Sequence, residues 1–216
     1  MIITVLSFKG GVGKSTIAQN LLVYFAKIGE SSVLVDADTN RSSIYWYGVR
    51  KPDLPDSTVV GNEDPASIVK MAKDLQKNYK HVIIDCPPIK LPITTRALLL
   101  ADLCVIPITP TGGSDIWTTQ ALFEHIAAMR DTYDQQVPML VVFNKFQSRI
   151  NLHNDYLVAI DDYREEFKFD LADFTINDRA SFGYANAEGL GVIEMADKKA
   201  KHELETLAKH ILENYG

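Results

Sequence analysis

The chain has 216 residues, 46% of them hydrophobic, and a formal net charge of −6. That size and apolar content support one substantial core, so residues 1–216 are expected to form a single domain, and the acidic balance argues against a generally basic nucleic-acid binder without excluding a local basic face. No apolar run approaches the roughly 18 residues of a membrane span, no charged leader precedes the first elements, and the two cysteines, Cys86 and Cys104, suit a reducing compartment; a cytoplasmic protein is expected.

In chain order, the apolar run 2–6 reads as a first strand, followed by a glycine-rich stretch and a helix over about 15–28. Short, β-branched apolar runs without polar alternation recur at 32–36, 81–85, 103–108 and 139–143, as expected of parallel strands covered on both faces. Helical stretches lie between and after them, at about 65–78, 114–131, 151–167 and 193–214. The alternation predicts an α/β fold, a doubly wound, mostly parallel sheet flanked by helices, with ligands outside the carboxyl ends of the strands. The Pro-containing stretch 51–55 reads as a surface connection after the second strand.

The stretch between the first strand and the first helix is Phe8-Lys9-Gly10-Gly11-Val12-Gly13-Lys14-Ser15-Thr16. Its glycines let successive backbone N–H groups turn inward around a phosphate chain, and the helix that follows points its positive end at the same charge. Lys14 supplies a point charge to the β/γ-phosphates and Ser15 a hydroxyl to Mg²⁺, which makes the chain a nucleotide-binding protein of the P-loop NTPase type. The usual loop has a glycine five residues before Gly13, where this chain has Phe8, with a second lysine, Lys9, beside it. A chance glycine-rich turn is the bland alternative.

Two strand ends carry acids. His81-Val-Ile-Ile-Asp85, read as the third strand, has the Walker B form, with Asp85 holding Mg²⁺ through water; a helix cap or turn former is the alternative. The second strand ends in Asp36-Ala37-Asp38, whose carboxylates at i and i+2 leave an extended chain on the same side. An Asx turn leaving the strand is the other reading of Asp38. After the fifth strand, Asn144-Lys145-Phe146-Gln147 lacks the carboxylate that guanine-specific folds place here, so adenine fits better, with Asn144 either a base contact or a simple turn residue.

The loop resembles the deviant Walker A motif, KGG-x-GK-[ST], of the ParA/MinD family of ATPases, and the resemblance extends along the chain. It includes Asp36-Ala37-Asp38, although Thr39 and Asn40 replace the family's usual proline and glutamine. It continues through residues 107–117, through 179–189, and through the closing Gly189-x-x-Val192-x-Glu194 turn. Small size and the absence of an N-terminal helix-turn-helix place the sequence near short, ParF-type members. The resemblance implies ATP and Mg²⁺ as cofactors. Residues 9–16 and Asn144 would bind nucleotide, Lys9 would reach across an ATP-dependent homodimer, and Asp38 would orient the attacking water. Ser15 and Asp85 would serve the metal, with Asp36 supporting from outside the ligand layer. It also implies weak, partner-stimulated ATP hydrolysis, nonspecific DNA as a track for plasmid or chromosome partition, and a ParB-like or other small adaptor, so that the ATP-bound form is nucleoid-associated.

The DNA-binding set expected on that basis is Lys198, Lys199, Lys201 and Arg179, each interleaved with acids that make a solvated face the plainer reading. A MinD-like membrane ATPase would need an added basic amphipathic helix. The apolar stripe Met195, Ala196, Ala200, Leu204, Leu207, Ala208, Ile211 and Leu212 instead predicts a helix packed on the sheet, and no membrane partner is expected. An iron–sulfur relative would need cysteines on loops facing a dimer axis, whereas Cys104 lies inside an apolar strand run and Cys86 between Asp85 and Pro87-Pro88, which favours core packing. A related positioning ATPase, with carboxysomes, chemotaxis arrays or a membrane system as cargo or track, is the alternative to DNA partition.

Overall fold

The computed structural model describes residues 1–55, 57–88, 92–110 and 113–216, the side chains at 113 and 114 excepted. Its first half runs β1 (Ile2–Val5), α1 (Lys14–Lys27), β2 (Ser32–Asp36), α2 (Ser42–Gly48), β3 (Thr58–Gly61), α3 (Ile68–Leu75), β4 (His81–Asp85) and α4 (Pro92–Leu99). The second half runs β5 (Leu103–Ile108), α5 (Gly113–Tyr133), β6 (Met139–Phe146), α6 (Asn151–Asp161), α7 (Arg164–Phe167), β7 (Asp170–Asn177), α8 (Ala180–Ala187), a 3-10 turn at Val192–Glu194, and α9 (Lys198–Tyr215).

Among these residues seven strands form one sheet in the order β3-β2-β4-β1-β5-β6-β7. Every pairing in it is parallel. Successive strand residues feed opposite faces: Ile2 and Leu6 join one core, Ile3 and Val5 the other. The first core continues through Ala97 and Leu98 of α4, Phe123 of α5 and Ile160 of α6. The second takes Leu21, Leu22 and Phe25 of α1 with Leu204, Leu207 and Ile211 of α9. Helices α1 and α4, which leave neighbouring strands β1 and β4, therefore lie on opposite faces, and a crevice opens at the carboxyl ends of those strands.

The five expected strands are present, but His81–Asp85 is the fourth in chain order, because β3 precedes it. The sequence reading missed β3 and β7. The first has four residues, and the second, Asp-Leu-Ala-Asp-Phe-Thr-Ile-Asn, is an edge strand whose polar residues break the apolar run that marks a covered one. Helices α2 and α4 were also missed. The helix expected over 65–78 is trimmed to Ile68–Leu75, and that over 151–167 divides into α6 and α7. The last helix starts at Lys198 rather than 193, since Val192–Glu194 is a separate 3-10 turn. Ala196 is exposed and leaves the expected stripe, while Ala200, Leu204, Leu207, Ala208 and Ile211 are buried. The stretch 51–55 is a largely exposed connection between α2 and β3. Cys86 and Cys104 are free thiols fully buried in the first core. Of the segment 107–117, Thr111 and Gly112 lie outside the described residues.

Candidate functional site

The glycine-rich loop leaves β1 and enters α1 with Gly13 at φ +94° and Gly11 at φ +76°, a left-handed region that glycine adopts without strain. At Gly13 space also forbids a side chain, because a Cβ there would meet Asn144 Nδ2 at 2.1 Å. Phe8, standing where the usual loop has glycine, packs against the His125 ring of α5 with centroids 5.3 Å apart. The loop is further held from β6: Asn144 Nδ2 donates to the Val12 carbonyl at 2.7 Å and Lys145 Nζ to the Gly11 carbonyl at 2.7 Å.

The two lysines of the loop have separate surroundings. Lys14 is buried, which lowers its ammonium below the usual lysine range, and the charges of Asp85 and Asp38 oppose that shift. Lys9 reaches α5, where its Nζ lies 2.5 Å from Oδ1 of the buried Asp115 in the first turn. It is thus the lysine that does not enter its own loop.

Asp36 and Asp85 are register partners on β2 and β4, and Asp85 is also paired in register with Val5 at the end of β1. Both acids therefore stand beside the loop, yet they do different work. Asp36 is committed to backbone: its Oδ2 accepts from Ser43 N at 2.8 Å and Ile44 N at 3.0 Å, and its Oδ1 from Asp38 N at 3.2 Å. It anchors the start of α2, holds the Asp38 backbone, and acts on Asp85 through its charge. Asp85 Oδ2 accepts from the Ser43 hydroxyl at 2.9 Å, while Oδ1, fully buried, has no hydrogen-bond partner among the described residues. Burial pushes the Asp85 carboxyl up to about 7, helped by the charge of Asp36 and opposed by the hydroxyls of Ser15 and Ser43 and by Lys14. An orphaned carboxylate oxygen next to the Ser15 hydroxyl and the loop is a donor set that fits a hydrated Mg²⁺.

Asp38 lies in the same cluster, close enough for its charge to act on Lys14, and its Oδ1 accepts from Asn40 N at 2.9 Å, so the Asx turn is present. That bond involves one oxygen of the carboxylate, Oδ1.

Next to the start of α1 is a cavity of about 370 Å³ lined by Thr16, Asn144, Lys145, Asn177, Arg179 and Asn186. Asn144 is thus on the cavity wall with its amide N–H committed to Val12. Arg179 lies in this wall too. Its guanidinium is paired with Glu203 of α9 at 2.6 Å, and Glu203 also accepts from Asn177 N and Nδ2. Arg179 is therefore a neutralised wall residue and not a member of an open basic face. Lys198 and Lys199 are exposed and Lys201 is half-buried, in the turn of α9 that follows its cap, Asp197. Because Glu203 reaches the end of β7, this turn sits at the carboxyl end of the sheet, the end that carries the loop.

Ser43, Gln19 and Asn186 escaped the sequence reading. Ser43 sits in a helix whose start depends on Asp36, and nothing local announces it. At the closing turn, Arg50 pairs with both oxygens of Glu194 at 2.8 and 2.9 Å, and a Cβ on Gly189 would meet Arg50 N at 2.6 Å. The closing turn ties α2 to the rest of the molecule.

The family model for the CobQ/CobB/MinD/ParA nucleotide binding domain matches residues 3–192. The chain belongs to this family, as a ParA/MinD-type P-loop ATPase that uses ATP and Mg²⁺. Protein ParA of Rhizobium radiobacter is 31% identical over 70% of this chain and 68% of its own length. The maintenance of carboxysome distribution protein A of Halothiobacillus neapolitanus is 25% identical over 97% of this chain and 95% of its own. In fold, the chain is similar to apo McdA from Cyanothece, with a TM-score of 0.81 at 16% identity over 98% of both chains. It is likewise similar to the MinD cell division protein of Aquifex aeolicus, with a TM-score of 0.79 at 18% identity over 98% and 97% of the two chains.

Proposed function

We propose that this protein is a partition ATPase: it dimerises around ATP, hydrolyses it slowly, and in the ATP-bound state holds nonspecific DNA while an adaptor protein triggers turnover and release. The observation that carries the reading is the division of labour between the two loop lysines. Lys14 is buried beside Asp85 and Asp38, whereas Lys9 reaches across to pair with Asp115 of α5, the arrangement expected of a lysine kept for a second subunit. Bound Mg²⁺ would neutralise charge developing on the transferred phosphoryl group. Around it, Ser15 and Asp85 Oδ1 hold the metal's side of the site, Lys14 holds the β/γ-phosphates, and the Asp38 carboxylate takes the hydrogen bond of the attacking water. The cavity at the start of α1 receives the base.

The DNA track rests on Lys198, Lys199 and Lys201, which project at the same end of the sheet as the nucleotide loop. Two such turns brought together by dimerisation would double the number of phosphate contacts, and affinity for DNA grows steeply with that number. The test is a gel shift with long nonspecific DNA, with and without ATP. Retardation only with ATP supports the reading; no retardation with ATP at low salt rejects the DNA track. The second reading, a positioning ATPase for a protein body, is favoured by the full-length likeness to a carboxysome distribution protein, and it differs in cargo rather than in the chemistry of the site.

A further inference from the structure

Three hydrogen bonds join the wall of the base cavity to the carboxylate at the metal side of the site. Asn186 Nδ2 on α8 donates to Gln19 Oε1 on α1 at 2.9 Å, Gln19 Nε2 donates to Ser43 Oγ on α2 at 3.3 Å, and Ser43 Oγ donates to Asp85 Oδ2 at 2.9 Å. Gln19, Ser43 and Asp85 are all 0–1% exposed. The direction of the chain follows from chemistry: a carboxylate oxygen accepts, so the Ser43 hydroxyl gives its proton to Asp85 and is left to accept from Gln19, whose amide oxygen then faces Asn186. Head-to-tail order of this kind polarises each bond in the same sense. Ser43 is itself fixed by its backbone, since its N–H is held by Asp36 on the strand next to Asp85.

The consequence lies in which oxygen of Asp85 is spoken for. Ser43 donates to Oδ2, Ser15 lies close enough to act on the same carboxyl group, and Oδ1 has no hydrogen-bond partner among the described residues. Without the hydroxyl, the carboxyl group can turn about its own bond, and either oxygen can take the buried contact. We propose that Ser43 is a positioning residue for the metal–nucleotide centre: its hydroxyl holds Asp85 so that Oδ1 faces a divalent cation, and Gln19 and Asn186 carry that restraint from the cavity wall. The inference rests on the ATPase reading and adds to it a set of residues outside the loop and the strand-end acids.

The test compares, on the full chain, the affinity for a fluorescent ATP analogue in Mg²⁺ with that in EDTA. Loss of a group that orients a metal-holding residue typically costs about 10-fold or more in metal affinity. Ser43→Ala should therefore bind the analogue in EDTA as the wild type does and lose about 10-fold of the enhancement that Mg²⁺ brings. Ser43→Thr, which keeps the hydroxyl, should recover most of it. A purely structural role would lower the melting temperature and leave the Mg²⁺ enhancement where it was. If Ser43→Ala does not fold, Gln19→Met, which keeps the length of the side chain but removes the donor, takes its place and should shift the enhancement in the same direction. A wild-type chain that binds no ATP in either condition overturns the nucleotide reading and this role with it. A wild type with Mg²⁺-enhanced binding beside a folded Ser43→Ala of equal enhancement, or one weakened equally in both conditions, overturns the positioning role alone.

Discussion

Lys14 is the side chain on which nucleotide affinity is expected to depend most directly, since it is buried in the loop beside the charges of Asp85 and Asp38. A phosphate chain arriving there exchanges those partners for charge-assisted bonds worth about 3 kcal/mol at the upper end. Lys14→Ala is therefore expected to weaken ATP binding by about 100-fold, read by titration with a fluorescent analogue; unchanged affinity would remove Lys14 from the phosphate site. Lys9→Ala should behave differently, keeping ATP affinity near that of the wild type and losing the ATP-dependent dimer, which light scattering with ATP and Mg²⁺ measures. A second residue-scale expectation concerns His81. Its ring stacks on Phe25 with centroids 4.1 Å apart, its Nε2 faces Glu30, and burial lowers its pKa below 6.5. Glu30, half-covered and held below its usual range by Lys80 and His81 against the cost of that cover, is ionised throughout the window. Well above pH 6.5 the imidazole is neutral in both states and contributes nothing to the pH dependence. As pH falls through that value the unfolded chain takes up a proton that the folded one refuses, so stability declines, by at most about 1.4 kcal/mol per pH unit. Urea midpoints at pH 7.5, 6.5 and 5.5 should show this decline in the wild type and a flatter profile in His81→Gln.

At the scale of elements, α9 and α2 show two ways of starting a helix. In α9 the signal is local: Asp197 accepts from Lys199 N at 3.0 Å and Ala200 N at 3.1 Å, and Ser181 donates to its other oxygen. Asp197→Ala should cost about 1 kcal/mol, a fall of about 2–4 °C in melting temperature for a chain of this size, with ATP affinity unchanged; thermal unfolding followed by circular dichroism measures it. In α2 the acceptor for the first N–H groups is Asp36, seven residues back on β2, and the far end is clamped by Arg50 to Glu194. No pattern of adjacent residues predicts that helix, since Ser-Ser-Ile-Tyr-Trp-Tyr-Gly has neither a polar cap in place nor a good helix-forming interior. The sequence reading passed over α2 for this reason, and with it Ser43.

For the molecule as a whole, the expected behaviour is that of a switch driven by ATP. Asp38→Ala should bind ATP and dimerise but fail to hydrolyse, because the carboxylate that orients water is lost while the loop and Asp85 remain. On the DNA-track reading the trapped dimer should dissociate from a DNA-coated surface more slowly than the wild type, and faster as salt rises. Stable ATP dimers with no retention at low salt would favour a protein cargo instead. Among the described residues no helix is long and apolar enough to cross a membrane.

What the sequence determined by itself is local chemistry: a glycine-rich turn between a strand and a helix, an aspartate closing each of two apolar runs, and strands dense enough in β-branched residues to need cover on both faces. Each of these is encoded by neighbours within a few positions, so the loop, the acids and the doubly wound sheet could be read before any coordinates. Tertiary structure alone decided which groups meet. It joined Lys9 to Asp115 across 106 positions and Arg179 to Glu203 across 24, so that the first leaves its own loop and the second is withdrawn from the basic face. It also placed Ser43 on Asp85 across 42 positions. Such pairs carry no periodicity and no adjacent motif, because they exist only once parallel strands in register bring the ends of distant segments to the same edge of the sheet.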